Sequence, residues 1–234
     1  MRPAIGAARA RATVVPAVGT RALLLVLAGA AVPAPCAPEY ADVDAYVAAT
    51  AGPGARVLSD RHGGQVYGVA QWICSDGAAC ATPGETLAML FVLHGTGTGL
   101  SEEARSAAFV WQASAKTPVL DAVEARGPDR FEVSLHRFAP VGRQVFSFAR
   151  QQEQWRLAGM EVAFLTLDAA QGDEAVGDSV DSVSVDYPGG RIVHAVHRNN
   201  RPHARRECPM PPRELPLAVV DLFAADLAAD CPSD

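Results

Sequence analysis

The stretch whose residue types most suggest chemistry is Leu93–Gly99, where His94 and three glycines follow an apolar run. Closely spaced glycines can aim backbone N–H groups at a developing oxyanion, and histidine moves protons near neutral pH. A hydrolase that used this loop would need a nucleophile or an acid beside His94. The alternative is a glycine turn between two strands. We favour the turn, because short glycine motifs occur in many unrelated settings.

The same segment resembles the His-Gly oxyanion segment of α/β-hydrolases. The resemblance implies a G-x-S-x-G nucleophile elbow, and no such pentapeptide occurs in this chain. The glycine spacing also differs from the G-x-G-x-x-G pattern of dinucleotide sites. We therefore predict no catalytic residue and no cofactor, and we keep a secreted hydrolase that uses the His94–Gly99 loop as an alternative.

Two groups of residues carry the donor atoms of a metal site. His194 and His197 form an H-x-x-H pair, but on a strand residues three apart point to opposite faces. The second group is acidic and has oxygen donors of the kind that Ca²⁺ prefers, although not in the order of an EF-hand loop; it comprises Asp168, Asp173, Glu174 and Asp178. We predict no metal site in either group.

The run His197–Arg206 is the one strongly basic segment. Its cations suit contact with anionic lipid, lipopolysaccharide or an acidic partner; they are Arg198, Arg201, Arg205 and Arg206. Because prolines interrupt the run and the chain is acidic, we expect a solvated linker that leads into the Pro-rich segment Pro209–Pro216. It remains the best local candidate for an electrostatic contact.

The cysteines indicate an oxidising compartment. Apart from Cys36, the chain has an even set, Cys74, Cys80, Cys208 and Cys231. We predict the pairs Cys74–Cys80 and Cys208–Cys231, because each joins the nearest neighbours in sequence. A spacing of six residues fits no zinc knuckle, which argues for disulfides over metal.

Residues 1–37 have the composition of a secretory signal peptide. They contain four arginines, no acidic residue and the 11-residue apolar run Ala22–Val32, which is too short for a membrane-spanning helix. Cys36 offers a lipid-anchoring alternative, although Val32-Pro33-Ala34-Pro35 departs from the usual lipoprotein pattern. We predict an exported protein, periplasmic or extracellular, that associates with a membrane only if Cys36 is lipidated.

Net charge excludes nucleic acid as a partner class. The 20 basic residues less the four arginines of the signal segment leave 16 against 26 acidic residues, a net of −10. Such a chain has no overall electrostatic attraction to nucleic acid. The partners that we expect are an envelope protein or a glycan.

The elements that must position these residues are strands. Segment 129–197 alternates polar and apolar side chains in the manner of an antiparallel β-meander. Before it, Ala55–Ser59 and Gln65–Cys74 predict a hairpin, and Thr86–His94, apolar on both faces, predicts a central strand. Segment 101–115 fits either a capped helix or a strand, and we favour the strand.

The ends of residues 38–234, which we predict to be a single β-rich domain, favour helices. Pro38–Ala51 predicts a short amphipathic helix that packs on the meander. Lys116–Arg126 is expected to be connecting structure. Residues 198–234 predict a Pro-rich tail, within which Leu217–Ala229 is spaced for a terminal helix.

The second half resembles certain uncharacterised secreted bacterial proteins. They share a W-x-L-x-G strand, here Trp155 to Gly159, and an S-V-x-Y-x-x-G turn, here Ser184 to Gly190, followed by a Pro-rich tail from Pro209. The resemblance implies no activity. Taken together, the sequence predicts an α+β, mainly β fold, with an antiparallel meander and a helix near each end. The expected role is non-enzymatic binding in the bacterial envelope, and an envelope lipoprotein anchored through Cys36 is a further alternative.

Overall fold

Period-two alternation of polar and apolar side chains runs through the second half of the chain, and it forms antiparallel strands as predicted. The computed structural model describes residues 38–74, 83–111, 118–138, 141–167, 178–224, 227 and 231. Within that part of the chain, the helical residues are α1 (Val43–Thr50), a 3-10 turn at Leu217–Val219, and Leu227, which is also 3-10.

The strands are numbered in chain order. They are β1 (Glu39–Tyr40), β2 (Arg56–His62), β3 (Gln65–Ile73), β4 (Thr86–Gly95), β5 (Leu100–Arg105), β6 (Phe109–Trp111), β7 (Val119–Gly127), β8 (Arg130–Phe138), β9 (Val141–Gln151), β10 (Gln154–Leu167), β11 (Asp178–Asp186), β12 (Arg191–Arg198) and β13 (Arg201–Pro209).

Strands β7 to β13 form a seven-stranded sheet, the meander sheet, in which each strand pairs with the next strand along the chain. The predicted meander over 129–197 is confirmed by β8 to β12. It is also larger than predicted, because β7 forms from a segment expected to be connecting structure. Strand β13 likewise forms where the basic run and the start of the Pro-rich tail were expected to be a linker.

The remaining strands form a second sheet of six strands, ordered β1-β5-β4-β3-β2, with β6 also paired to β4. We expected one sheet and the structure has two. Strand β4 is central, as its continuous apolar sequence indicates. The preference for strand over helix in segment 101–115 is confirmed by β5 and β6 for its described part.

The core lies between the two sheets. Tyr67, Leu90 and Val92 of the six-stranded sheet join Phe131 and Leu157 of the meander sheet in one buried cluster. The opposite face of the six-stranded sheet carries a second cluster, which buries one side of α1. Strand β4 is apolar on both faces because it contributes to both clusters.

Helix α1 forms within the predicted segment but does not pack on the meander as expected. Its Val43, Tyr46 and Val47 are buried against Phe91 and its neighbours on the six-stranded sheet. Asp42 caps the helix by accepting a hydrogen bond from the Ala45 N–H at 2.8 Å. The helix was predicted correctly from the sequence, but the sequence did not indicate which sheet the helix packs against.

The C-terminal helix predicted over Leu217–Ala229 is not shown by the described residues. Leu217–Val219 makes one 3-10 turn, and Val220 is already extended, at φ −72° and ψ 128°. The segment buries Leu217, Val220, Leu222 and Leu227 in the core between the sheets. Tertiary contacts therefore set its conformation. Residues 225–226 and 228–230 lie outside the described part of the chain.

Candidate functional site

The His94–Gly99 loop is a hairpin turn between β4 and β5, and three of its backbone amides are already hydrogen-bonded. The N–H of Gly95 donates to the Gly64 carbonyl at 2.7 Å, and that of Thr96 donates to the Gly99 carbonyl at 3.0 Å. The Gly99 N–H donates to the Thr96 hydroxyl at 3.2 Å. An oxyanion needs free donors, and these three already have acceptors within the turn or the neighbouring hairpin.

His94 itself is exposed at the end of β4, directly opposite Gln65 and Ser101 in the sheet. Among the described residues, no hydrogen bond or ion pair joins its imidazole to a serine hydroxyl or a carboxylate. The geometry fits a glycine turn between strands, and it supplies no observation in favour of the hydrolase alternative.

The predicted anionic-contact residues lie on a β-hairpin, and not on a solvated linker as expected. Asn199 and Asn200 connect β12 to β13 with φ of 48° and 59°, the left-handed conformation that two-residue hairpin turns require. Arg198 and Arg201 face each other across this turn, and Arg205 and Arg206 lie further along β13. Arg205 pairs with Glu207 at 3.5 Å. The asparagine pair was the sequence feature that could have revealed the hairpin.

The predicted disulfide Cys208–Cys231 is present, with an S–S distance of 1.97 Å. Cys74 is also in a disulfide, but Cys80 lies outside the described residues, so the pair Cys74–Cys80 stays a prediction. Cys36 and the whole signal segment lie outside them as well.

Neither predicted group of metal donors is assembled in the described residues. His194 is half-buried, and its Nε2 atom is buried with no hydrogen-bond partner among the described residues. His197 lies on the opposite face of β12 beside Val180. Asp168, Asp173 and Glu174 lie outside the described residues, as does the side chain of Asp178. No group of three or more metal-ligating side chains occurs in the described part of the chain.

A polar network joins the two sheets, and sequence reasoning missed it. Glu103 on β5 accepts hydrogen bonds from Trp155 Nε1 at 2.9 Å and from Gln65 Nε2 at 3.0 Å, and Arg150 lies 3.4 Å away. These donors satisfy a mostly buried carboxylate, which stabilises its charge. Because Glu103 is held by residues of β3, β9 and β10, it connects the sheets and is not available as a free base.

Tyr67 belongs to the same junction. Its phenol oxygen lies 2.6 Å from both the Gln65 amide oxygen and the Pro128 carbonyl, and its ring stacks on Phe131 with centroids 4.9 Å apart. Burial, followed by the charges of Asp129 and Glu103, raises the pKa of Tyr67 to about 12. The phenol is therefore neutral at physiological pH and serves as a hydrogen-bond donor inside the fold.

The face of the meander sheet that points away from the core, which we call the outer face, is not packed against any other described element. It carries two depressions of about 350 and 620 Å³ that share Ser147 and Gly159. Together they make a continuous outer groove across β8 to β11.

Small side chains form the floor of the outer groove because the strand register places them side by side. Ser147 lies directly opposite Gly159, and Ala163 lies directly opposite Ser182. A β-bulge between Leu157 and Gly159 shifts the register there. A side chain at Gly159 would approach the Val185 carbonyl to 2.9 Å, so the close strand pairing requires glycine.

Charged groups of both signs border the floor. Arg143 donates to the Ser134 hydroxyl at 2.7 Å, and Glu132 accepts from Arg126 at 2.8 Å. Glu161 is exposed on the groove wall and makes no contact with a described cation. The described residues that line the groove supply hydrogen-bonding groups and both charges but no aromatic side chain. The Ser147 hydroxyl donates to the Glu132 carboxylate at the long distance of 3.5 Å, and the described lining includes no histidine.

The described residues include no helix that is long and apolar enough to cross a bilayer. Comparisons of the chain with protein-family models, with curated proteins and with solved structures found no match.

Proposed function

We propose that this protein is an exported, non-enzymatic binding module whose outer groove holds a polar polypeptide segment of an envelope protein. The observation that carries the proposal is the outer face of the meander sheet, where small residues leave an open groove while the remaining sheet faces are packed. A sheet face that is neither covered nor uniformly charged suits a ligand.

The chemistry of the lining favours a polypeptide over a glycan. Arg143 and Glu161 offer opposite charges on neighbouring strands, and Ser147 and Ser184 add hydroxyls on the two strands that flank β10. A peptide carries charges and amides that match these groups. The described lining has no aromatic ring on which a sugar could stack.

Export is the setting that the cysteines favour. The Cys208–Cys231 disulfide is compatible with an oxidising compartment. The signal segment, the absence of catalysis and the identity of the partner are parts of the proposal.

The test immobilises the oxidised chain from Ala37 onward and exposes it to envelope extract from its source, either intact or digested with protease. We expect one or a few species to be retained from the intact extract and lost after digestion. Ser184→Trp, which places an indole in the groove, should reduce retention at least about tenfold, since filling a pocket removes most of its contacts.

Val219→Trp is the matched control, because Val219 is 71% exposed and lies outside the groove. It should retain the species as the native chain does. Retention that survives protease digestion would replace the peptide ligand with another class. Retention that Ser184→Trp leaves unchanged, or no retention at all, would contradict binding in the outer groove.

A further inference from the structure

A small cavity adjoins one end of the outer groove, and we call it the end pocket. It measures about 110 Å³ and lies between Arg156 of β10, Pro188 and the segment Pro212–Leu215. Gln151 and Pro188 line both the end pocket and the larger depression of the outer groove, so the two spaces are continuous. A chain that lies in the groove can therefore place its end in the pocket.

Backbone hydrogen bonds fix the far wall of the end pocket. The Arg213 N–H donates to the Tyr187 carbonyl at 2.8 Å, and the Leu157 N–H donates to the Leu215 carbonyl at 2.9 Å. The segment thus runs beside the start of β10, which β11 does not reach. A chain that enters from the groove meets this wall and cannot continue past it.

Arg156 is a nearly buried cation on the face of the sheet that carries the groove. It lies directly opposite Ala149 in the β9–β10 pairing, and Ala149 lines the groove, so both side chains lie on the outer face. Only 11% of the Arg156 side chain is exposed. Its Nε atom is buried with no hydrogen-bond partner among the described residues, so the donors of this guanidinium group are not all satisfied there.

Glu214 supplies a carboxylate to this cation from the pocket wall. Its Oε2 atom lies 2.7 Å from a terminal nitrogen of Arg156, although 77% of the Glu214 side chain is exposed. An exposed carboxylate gains little from such a pair, so another carboxylate can replace it. Glu214 therefore occupies the position that the carboxylate of a ligand would take.

The charge of the lining changes along the groove. The described lining of the depression around Glu161 has two carboxylates and one guanidinium group. That of the end pocket has two guanidinium groups, on Arg156 and Arg213, and one carboxylate, on Glu214. The rest of the pocket lining is apolar except for Gln151. An anionic group with an apolar neighbour is therefore matched at the end pocket and not at the other end of the groove.

From this arrangement we propose that the end pocket binds the C-terminal residue of the polypeptide segment that lies in the outer groove. The terminal carboxylate would replace Glu214 on Arg156, and a small apolar last side chain would contact Pro188 and Pro212. The closed far wall favours a chain end over the side chain of an internal Asp or Glu. The inference rests on the proposed function and specifies which part of the partner is recognised.

The test uses two synthetic pools of short random peptides that end in Ala, Val or Leu, one with a free C-terminal carboxylate and one with a C-terminal amide. Each pool is passed over the immobilised oxidised chain from Ala37 onward, and retained peptides are quantified by mass spectrometry. We expect the free-acid pool to be retained at least about tenfold more than the amide pool, because the amide lacks the charge that pairs with Arg156. Arg156→Gln should abolish this difference.

Glu214→Gln should have the opposite effect. It removes the competing carboxylate, so retention of the free-acid pool should rise about threefold, which a merely structural role of Glu214 would not produce. This variant also keeps the test decisive if Arg156→Gln does not fold. The matched controls are Asp44→Asn and Arg61→Gln, which change an exposed carboxylate and an exposed cation far from the groove in sequence and on the other sheet or its helix. They should retain both pools as the native chain does.

Equal retention of the two pools that Ser184→Trp abolishes would overturn this inference and leave the proposed function standing. Retention of neither pool would contradict both. Retention of the free-acid pool that Glu214→Gln lowers or leaves unchanged would overturn the exchange of carboxylates on Arg156. Acid-selective retention that Arg156→Gln abolishes and Ser184→Trp leaves unchanged would support the end pocket and contradict binding in the groove.

Discussion

At the scale of single residues, Glu103 is the most consequential side chain that connects the two sheets. It is a mostly buried carboxylate whose oxygens receive hydrogen bonds from Trp155 and Gln65, with Arg150 close by. A buried charge is tolerated only when such donors compensate for lost water. The position of an acidic residue in strand β5 gave no hint of this role, since the donors come from three other strands.

Replacement of Glu103 by Gln tests the network. The amide nitrogen of Gln would face one of the two donors, so one charge-assisted hydrogen bond is lost and one donor is left unpaired. We expect the free energy of unfolding to fall by about 1.5–3 kcal/mol, as measured by urea denaturation followed through tryptophan fluorescence. Glu153→Gln, in an exposed turn, is the control and should change stability little. An unchanged midpoint for Glu103→Gln would contradict the network.

The raised pKa of Tyr67 predicts how stability depends on alkaline pH. The folded phenol keeps its proton up to about pH 12, whereas in the unfolded chain it ionises near pH 10. The unfolded chain therefore binds fewer protons between these values, and stability falls as pH rises, by up to about 1.4 kcal/mol per pH unit per group. Burial raises the pKa of Tyr46 as well, followed by the charge of Glu102.

Urea denaturation at pH 9, 10 and 11 checks this dependence. The native chain should lose stability over the range, Tyr67→Phe and Tyr46→Phe should each lose less, and the double variant least. A Tyr67→Phe variant whose stability falls as steeply with pH as that of the native chain would show that this phenol is not protected.

At the scale of elements, the strands in which polar and apolar side chains alternate strongly could be predicted from the sequence. The strands at the edges of the meander sheet could not. Strand β13 buries only Cys208, so no apolar alternation marks it, and its arginines and prolines resemble a linker. The Asn199–Asn200 turn and the backbone of β12 make it a strand. Its cations and Pro202 also suit a strand at the edge of a sheet, because they discourage pairing with a further strand.

In the C-terminal segment, by contrast, the sequence pattern predicted a helix that the described residues do not show. Leu217, Val220, Ala224 and Leu227 have helical spacing, but Leu222 is buried as well, and one face of a helix cannot hold all of them. The Tyr187 hydroxyl donates to the Leu227 carbonyl at 3.0 Å, which ties the segment to the turn that follows β11. Packing in the core between the sheets therefore determines the conformation of this segment, and the helical spacing of its residues does not.

The Cys208–Cys231 disulfide should hold that segment in place. It closes a loop with a sequence separation of 23 residues, for which the loss of chain entropy in the unfolded state is worth about 3 kcal/mol. The variant Cys208→Ser/Cys231→Ser should therefore unfold at lower urea concentration, with a free energy of unfolding lower by about that amount. Equal midpoints for the oxidised native chain and this variant would mean that packing alone holds the segment.

At the scale of the whole molecule, the layers determine where a ligand can bind. Helix α1 covers one face of the six-stranded sheet, the meander sheet covers the other, and the outer face of the meander sheet is left open. The groove could not be predicted from the sequence, because its small residues do not individually suggest a binding site. They are Ser147, Gly159, Ala163 and Ser184. Only the register of three strands, β9 to β11, brings them together.

The most direct measurement is hydroxyl-radical footprinting of the oxidised chain with and without the species that it retains from envelope extract. We predict that Val145 and Val193, on the outer face, become protected when the ligand is bound. Ile73 and Val219, exposed elsewhere at 70% and 71%, should react as before. Protection of Ile73 or Val219 with no change at Val145 and Val193 would contradict the claim that the outer face is the binding surface.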